Sequence, residues 1–121
     1  MLPKRPYYAV IFTSRLRDDA DDEYAKTAAA MAQLASTMPG YLGFESARES
    51  GLGIAVSYWE SLESIAAWRD NVDHRLARER GRRDWYAHFD LRIAKVDRQY
   101  SWSYKANDIP ARASNPSGNE D

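Results

Sequence analysis

The stretch Tyr41-Leu42-Gly43-Phe44-Glu45-Ser46-Ala47-Arg48-Glu49, then Ser50-Gly51, then Leu52-Gly53-Ile54-Ala55-Val56-Ser57-Tyr58-Trp59 reads as a β-hairpin with a two-residue turn. The turn carries glycine where a tight hairpin needs a positive φ. In the first strand Leu42 and Phe44 share one face. In the second, Ile54, Val56 and Tyr58 lie on one face and Ala55, Ser57 and Trp59 on the other, so both faces are apolar or small.

Working outward, Pro39-Gly40 closes a helix whose apolar stripe is Tyr24, Ala28, Met31, Leu34, Ala35 and Met38. The acidic loop Asp18–Asp22 offers carboxylates to that helix's N-terminus. Before it, Tyr7–Ser14 reads as a strand greasy on both sides, as a strand covered on both sides must be. Beyond the hairpin, Ser61 caps a second helix with Ile65, Trp68 and Val72 inward. A further helical stretch runs from Asp73 to Ala87, broken near Gly81, and a last strand covers Leu91–Tyr100.

The order β-α-β-β-α-β is the split βαβ arrangement of a ferredoxin-like α+β domain. Helices cover one face of such a sheet. The other face is apolar as well, and left bare it would exceed the few hundred Å² that monomers tolerate. The expected solution is a homodimer with two sheets packed face to face, burying roughly 2,000 Å² or more. We place this domain at residues 1–105 and a flexible tail at 106–121, where Asn, Ser, Pro, Gly and acids replace apolar residues.

Composition narrows the function. Of 121 residues, 29 % are charged with a net charge of −1, which gives no global drive toward nucleic acid or an anionic membrane. No apolar run approaches a bilayer span, and the N-terminus does not read as a signal peptide. Cysteine is absent, which removes thiolate chemistry and fits a reducing cytoplasm. His74 and His88 make no metal motif, so no metal site is expected, and neither a phosphate loop nor a nucleophile elbow is present.

His74 is the residue best suited to chemistry. With Ala77, Gly81 and Trp85 it falls on one helical face, so its imidazole points inward. It reads either as a general base or as a core histidine bonded to a backbone carbonyl. Trp59, Trp68, Trp85 and Tyr86 are core, or the walls of a pocket for a flat aromatic molecule, with Tyr8, Tyr58 and Ser57 able to hydrogen-bond such a ligand. Arg69, Arg75, Arg78, Arg80, Arg82 and Arg83 interleave with Asp70, Asp73, Glu79 and Asp84. That pattern reads first as a solvated face of ion pairs and second as an attractor for an acidic ligand.

Three passages resemble the antibiotic biosynthesis monooxygenase-like proteins, small dimeric α+β barrels of ferredoxin-like subunits. They are Met38–Ser46, Val56–Trp68, and the closing Trp85-Tyr86 with Arg92–Tyr100; together the likeness covers about residues 7–102. The resemblance implies cofactor-independent oxygenation of an aromatic or polyketide-like small molecule. Its alternatives are haem binding and breakdown, or a non-catalytic ligand-binding dimer. The quinone-forming members of that family use an asparagine four residues before the tryptophan that matches Trp59; here it is Ala55. The haem-degrading members place an axial histidine about ten residues after the tryptophan that matches Trp68. Here that position is Arg78, with His74 nearer, and the first strand has no asparagine.

Overall fold

A computed structural model describes residues 6–104, so the tail expected over 106–121 lies outside the described residues. Four strands and three α-helices follow one another. They are β1 (Tyr7–Leu16), α1 (Glu23–Ala35), β2 (Tyr41–Glu49), β3 (Leu52–Trp59), α2 (Leu62–Asp70), α3 (Val72–Arg80), a π-helical turn (Gly81–Trp85) and β4 (Tyr86–Val96). The sheet order is β2-β3-β1-β4 with every neighbouring pair antiparallel, which is the ferredoxin-like α+β fold expected from the strand pattern.

The hairpin forms as the sequence dictates. Ser50 and Gly51 both have positive φ, 54° and 84°, which matches the turn's twist to that of the strands. Gly40, at φ +85°, takes the chain out of α1, and a Cβ there would collide with Ser64. Ser61 caps α2, its Oγ accepting from the Ser64 amide at 3.1 Å. Asp22 occupies the N-cap of α1 without a side-chain bond. Asp21 does that work instead, accepting from the Glu23 amide at 3.2 Å.

Some boundaries differ from the sequence reading. The second helix ends at Asp70, short of Val72, because Asn71 takes ψ 131° and its Oδ1 accepts from the His74 amide, capping α3; the helical stretch after it ends at Trp85 rather than Ala87. The last strand starts at Tyr86 and ends at Val96 rather than running Leu91–Tyr100. β1 continues to Leu16 and supplies a partner as far back as Tyr86. Within α1 Ala28 is exposed, so the inward stripe is Tyr24, Met31, Leu34 and Ala35, with Met38 following in the turn after the helix. Val72 belongs to α3, but its side chain lies outside the described residues.

All helices pack on one sheet face. There Trp59, Ala35, Ile65 and Trp68 form the core, joined by Tyr8, Val10, Met31, Leu34, Met38 and Tyr41. The register Tyr8↔Trp59 puts even residues of β1 on this face and leaves Tyr7, Ala9, Ile11, Ile54, Val56 and Tyr58 on the other. Among the described residues no helix covers that second face. Tyr7 is buried there by Tyr58, edge to face at 6.1 Å, and its hydroxyl donates to Gln99 in the segment after β4. From Gln99 the chain continues as an exposed arm carrying Tyr100, Trp102 and Tyr104.

Candidate functional site

β3 delivers Trp59 and Ser57 to the helix-covered face, where Trp59 Nε1 donates to Ser57 Oγ at 2.8 Å. Trp59 has no exposed surface at all. The register sets Tyr8 beside it, and Tyr41 meets its ring edge-on at 5.7 Å. Trp68, on the last full turn of α2, lies 6.1 Å away and nearly parallel. His74, in the first turn of α3, stacks on Trp68 at 4.0 Å and 11°. Trp68 thus contacts both Trp59, on the sheet, and His74, at the corner between α2 and α3.

His74 is held at both ends. Asn71 caps its amide, and its Nδ1 lies 3.1 Å from the Trp68 carbonyl oxygen, to which a protonated Nδ1 donates. That tautomer leaves Nε2 with a lone pair free to accept a proton. Burial, reinforced by the nearby charge of Arg78, holds the imidazole below its ordinary pKa; the Trp68 carbonyl opposes this. The carbonyl bond considered for a core histidine is therefore present, and it does not consume the nitrogen that a base would use.

The structure brings Tyr8, Ser57, Trp59, Trp68 and His74 to one side of the sheet and separates the other two candidates from them. Tyr58 points to the opposite face, donating to Glu45 Oε1 at 2.8 Å; burial first, then that carboxylate, pushes its phenol up to about 12. Trp85 belongs to a second aromatic cluster at the far end of the helical face. There it meets Tyr24 at 5.5 Å and donates Nε1 to Asp21 at 3.0 Å. Tyr86, Phe12 and Phe89 belong to that cluster, and burial first, then the neighbouring Tyr24 hydroxyl, raises the pKa of the Tyr86 phenol. Sequence reasoning missed its polar tie: Arg48 donates to Ser14 Oγ and, at 3.0 Å, to the Tyr24 hydroxyl. The available signal was strand alternation, which sets Arg48 on the same face as Phe44.

An open cleft of about 390 Å³ runs between α1 and α3, floored by Ala30, Met31, Leu76 and Ala77, with Lys26, Asp73 and Arg80 also lining it. A second hollow of about 380 Å³ continues it toward Leu34 and Thr37. Met31 belongs to both the cleft and the packing around Trp59 and Trp68. His74 does not line the cleft; it sits between the lining residues Asp73 and Ala77 in sequence. Among the described residues no three His, Asp or Glu side chains converge as a metal site, and no helix is long and apolar enough to cross a membrane.

Comparison with known proteins bears on the family and the fold. An uncharacterized protein of Bacillus subtilis strain 168, YqjZ, is 48 % identical over 107 residues, covering 88 % of this chain and 93 % of its own. A jasmonate monooxygenase ABM of Pyricularia oryzae is 26 % identical over 92 residues, which are 74 % of this chain but 43 % of that protein. Among solved structures, SnoaB, a cofactor-independent oxygenase from Streptomyces nogalater, superposes with a TM-score of 0.66 at 13 % identity. It covers 78 % of this chain and 95 % of SnoaB, and at that identity the likeness is one of fold. The family profile described as antibiotic biosynthesis monooxygenase matches residues 7–80, from the start of β1 through the end of α3. The match spans Trp59, Trp68 and His74, and covering more than half of the chain it establishes that the chain belongs to the antibiotic biosynthesis monooxygenase family.

Proposed function

We propose that this protein is a homodimeric, cofactor-independent monooxygenase of an aromatic, phenol-bearing small molecule, with His74 as the proton acceptor. The observation that carries the reading is the imidazole geometry. His74 is fixed by its Nδ1 bond and its stack on Trp68, and burial keeps it neutral, so Nε2 stands ready to take a phenolic proton. Removing that proton makes the ring electron-rich enough to react with dioxygen itself. In the overall step a phenol and O₂ give a quinone and water: one oxygen atom enters the ring, the other leaves as water, and the substrate supplies all the electrons. The chain's task is deprotonation, orientation and exclusion of water.

The cleft beside α3, apolar at its floor, is the proposed entry for the substrate, with Trp59, Trp68, Tyr8 and Ser57 behind it; Tyr58 and Trp85 are not part of this reading. Oxygenase names borne by the Pyricularia relative and by SnoaB support the reaction class. Dimerisation would cover the second sheet face, and the soluble, cytoplasmic setting expected from the sequence suits a reaction between a small molecule and dissolved oxygen.

The test is His74→Ala, assayed by oxygen uptake with a panel of phenols. Loss of a positioned base should lower turnover about 10²–10⁴-fold. The Trp68 carbonyl keeps a second donor, the Asn71 amide at 3.1 Å, so the variant should still fold, about 1–3 kcal/mol less stable. Intact turnover per folded molecule would remove His74 from the mechanism. A Soret band on adding haem that the variant loses would assign the site to haem instead.

A further inference from the structure

The arginine run after α2 does not form the ion-paired face that its interleaved acids suggest. Asp84 takes both Arg80, at 3.3 Å, and Arg83, at 3.2 Å. Among the described residues, no carboxylate lies within salt-bridge distance of Arg69, Arg75, Arg78 or Arg82. These four converge on the corner that the Asn71 break creates. Arg75, Arg78 and Arg82 follow one another at three- and four-residue spacing down one side of α3 and the π-helical turn, while Arg69 lies in the last turn of α2.

Arg78 is the centre of the group. Its Nη2 donates to the Arg69 carbonyl at 3.0 Å, which fixes the guanidinium against α2. Its Nε is buried from solvent and has no hydrogen-bond partner among the described residues. A buried N–H without an acceptor is expensive, and a protein seldom keeps one without a use. Burial first, then the charges of Arg82, Arg69 and Arg75, pull its pKa below the ordinary arginine value, with Asp70 the one opposing charge. Like charges thus gather around an unsatisfied donor. An oxyanion answers both, because it neutralises the surrounding guanidinium groups and accepts from Nε–H once a small turn of the Arg78 side chain uncovers it.

We propose that the corner between α2 and α3 is an oxyanion-binding site, in which Arg78, ringed by Arg69, Arg75 and Arg82, receives the carboxylate or phosphate group of a small molecule. The site lies on the helical side of the sheet, away from the face expected to meet a second copy, so a copy docked on that face would not supply the missing charge. It adjoins His74 through Arg78, four residues on, but it does not depend on the oxygenase reading.

The experiment is thermal denaturation of the full chain at constant ionic strength and pH 7 in chloride, inorganic phosphate or sodium benzoate. Wild type should gain several degrees in at least one oxyanion, with phosphate alone or benzoate alone identifying the group preferred. Arg75→Gln/Arg82→Gln, at two exposed positions, should lose that gain and melt higher than wild type in chloride, since repulsion is relieved. Arg78→Lys keeps the charge but lacks the Nε–H, and it should lose the gain as well. The proposal is overturned by no gain in either oxyanion, by an equal gain in the double variant or in Arg78→Lys, or by a double variant that melts lower in chloride.

Discussion

Replacing Ile54 by alanine tests the dimer where its energetics can be worked out from one residue. Ile54 sits on the sheet face that carries no helix and is 48 % exposed in the single chain. Fully burying an isoleucine is worth about 1.5–3 kcal/mol, so covering its remaining half is worth about 1 kcal/mol. A two-fold interface presents the same residue from both copies, which doubles the loss to about 2 kcal/mol, or roughly thirty-fold in Kd. Leu76 on α3 is the control. It is 59 % exposed, more than Ile54, but lies on the helical side, so Leu76→Ala should leave Kd unchanged. Sedimentation velocity over a dilution series measures both. An unchanged Kd for Ile54→Ala, or an equal rise for Leu76→Ala, would refute the assignment of the interface to the open sheet face.

Trp102→Ala should also weaken the dimer, because a tryptophan 79 % exposed on the segment after β4 is suited to reach the second copy; unchanged dissociation in the same assay would exclude the arm. Trp59→Ala should cost about 3–5 kcal/mol in urea denaturation, since the ring is wholly enclosed among Tyr41, Trp68 and Ala35; a loss under 1 kcal/mol would show that the stack is not the core. His74 should confer a pH dependence. Its pKa is lower folded than unfolded, so between the two values the unfolded chain binds more protons. The stabilisation is therefore complete above the ordinary value of 6.5 and fades as the pH falls below it. The difference in melting temperature between wild type and His74→Ala should shrink from pH 7.5 to pH 5, and a constant difference would contradict the burial argument.

Strand alternation made most of the fold legible. Ile54, Val56 and Tyr58 against Ala55, Ser57 and Trp59 set the hairpin's two faces, and the observed strands β2 and β3 begin and end where the sequence placed them. The helix after Trp68 was less legible, because its boundary depends on one residue. Asn71 caps the next helix rather than continuing the last, and nothing in local propensity forbids the continuation. The start of β4 depended on how far β1 extends, a tertiary fact that Tyr86 alone does not announce. Within the candidate site, helical spacing placed His74 inward but could not show that Trp68 lies under it, since the two residues are on different helices. The same limit separated Trp85 from the site and left the arginines looking paired. Side-chain partners across a break are set by where two elements meet, and spacing within one element does not contain that information.

Incorporation of labelled oxygen tests the central claim most directly. The protein, treated with chelator and freed of flavin, would be incubated with a phenolic substrate under ¹⁸O₂ and the product weighed by mass spectrometry. The account expects a quinone carrying one ¹⁸O atom, formed by wild type and reduced about 10²–10⁴-fold in the His74→Ala variant. A product whose new oxygen comes from water, or turnover that returns only with added metal or flavin, would contradict it.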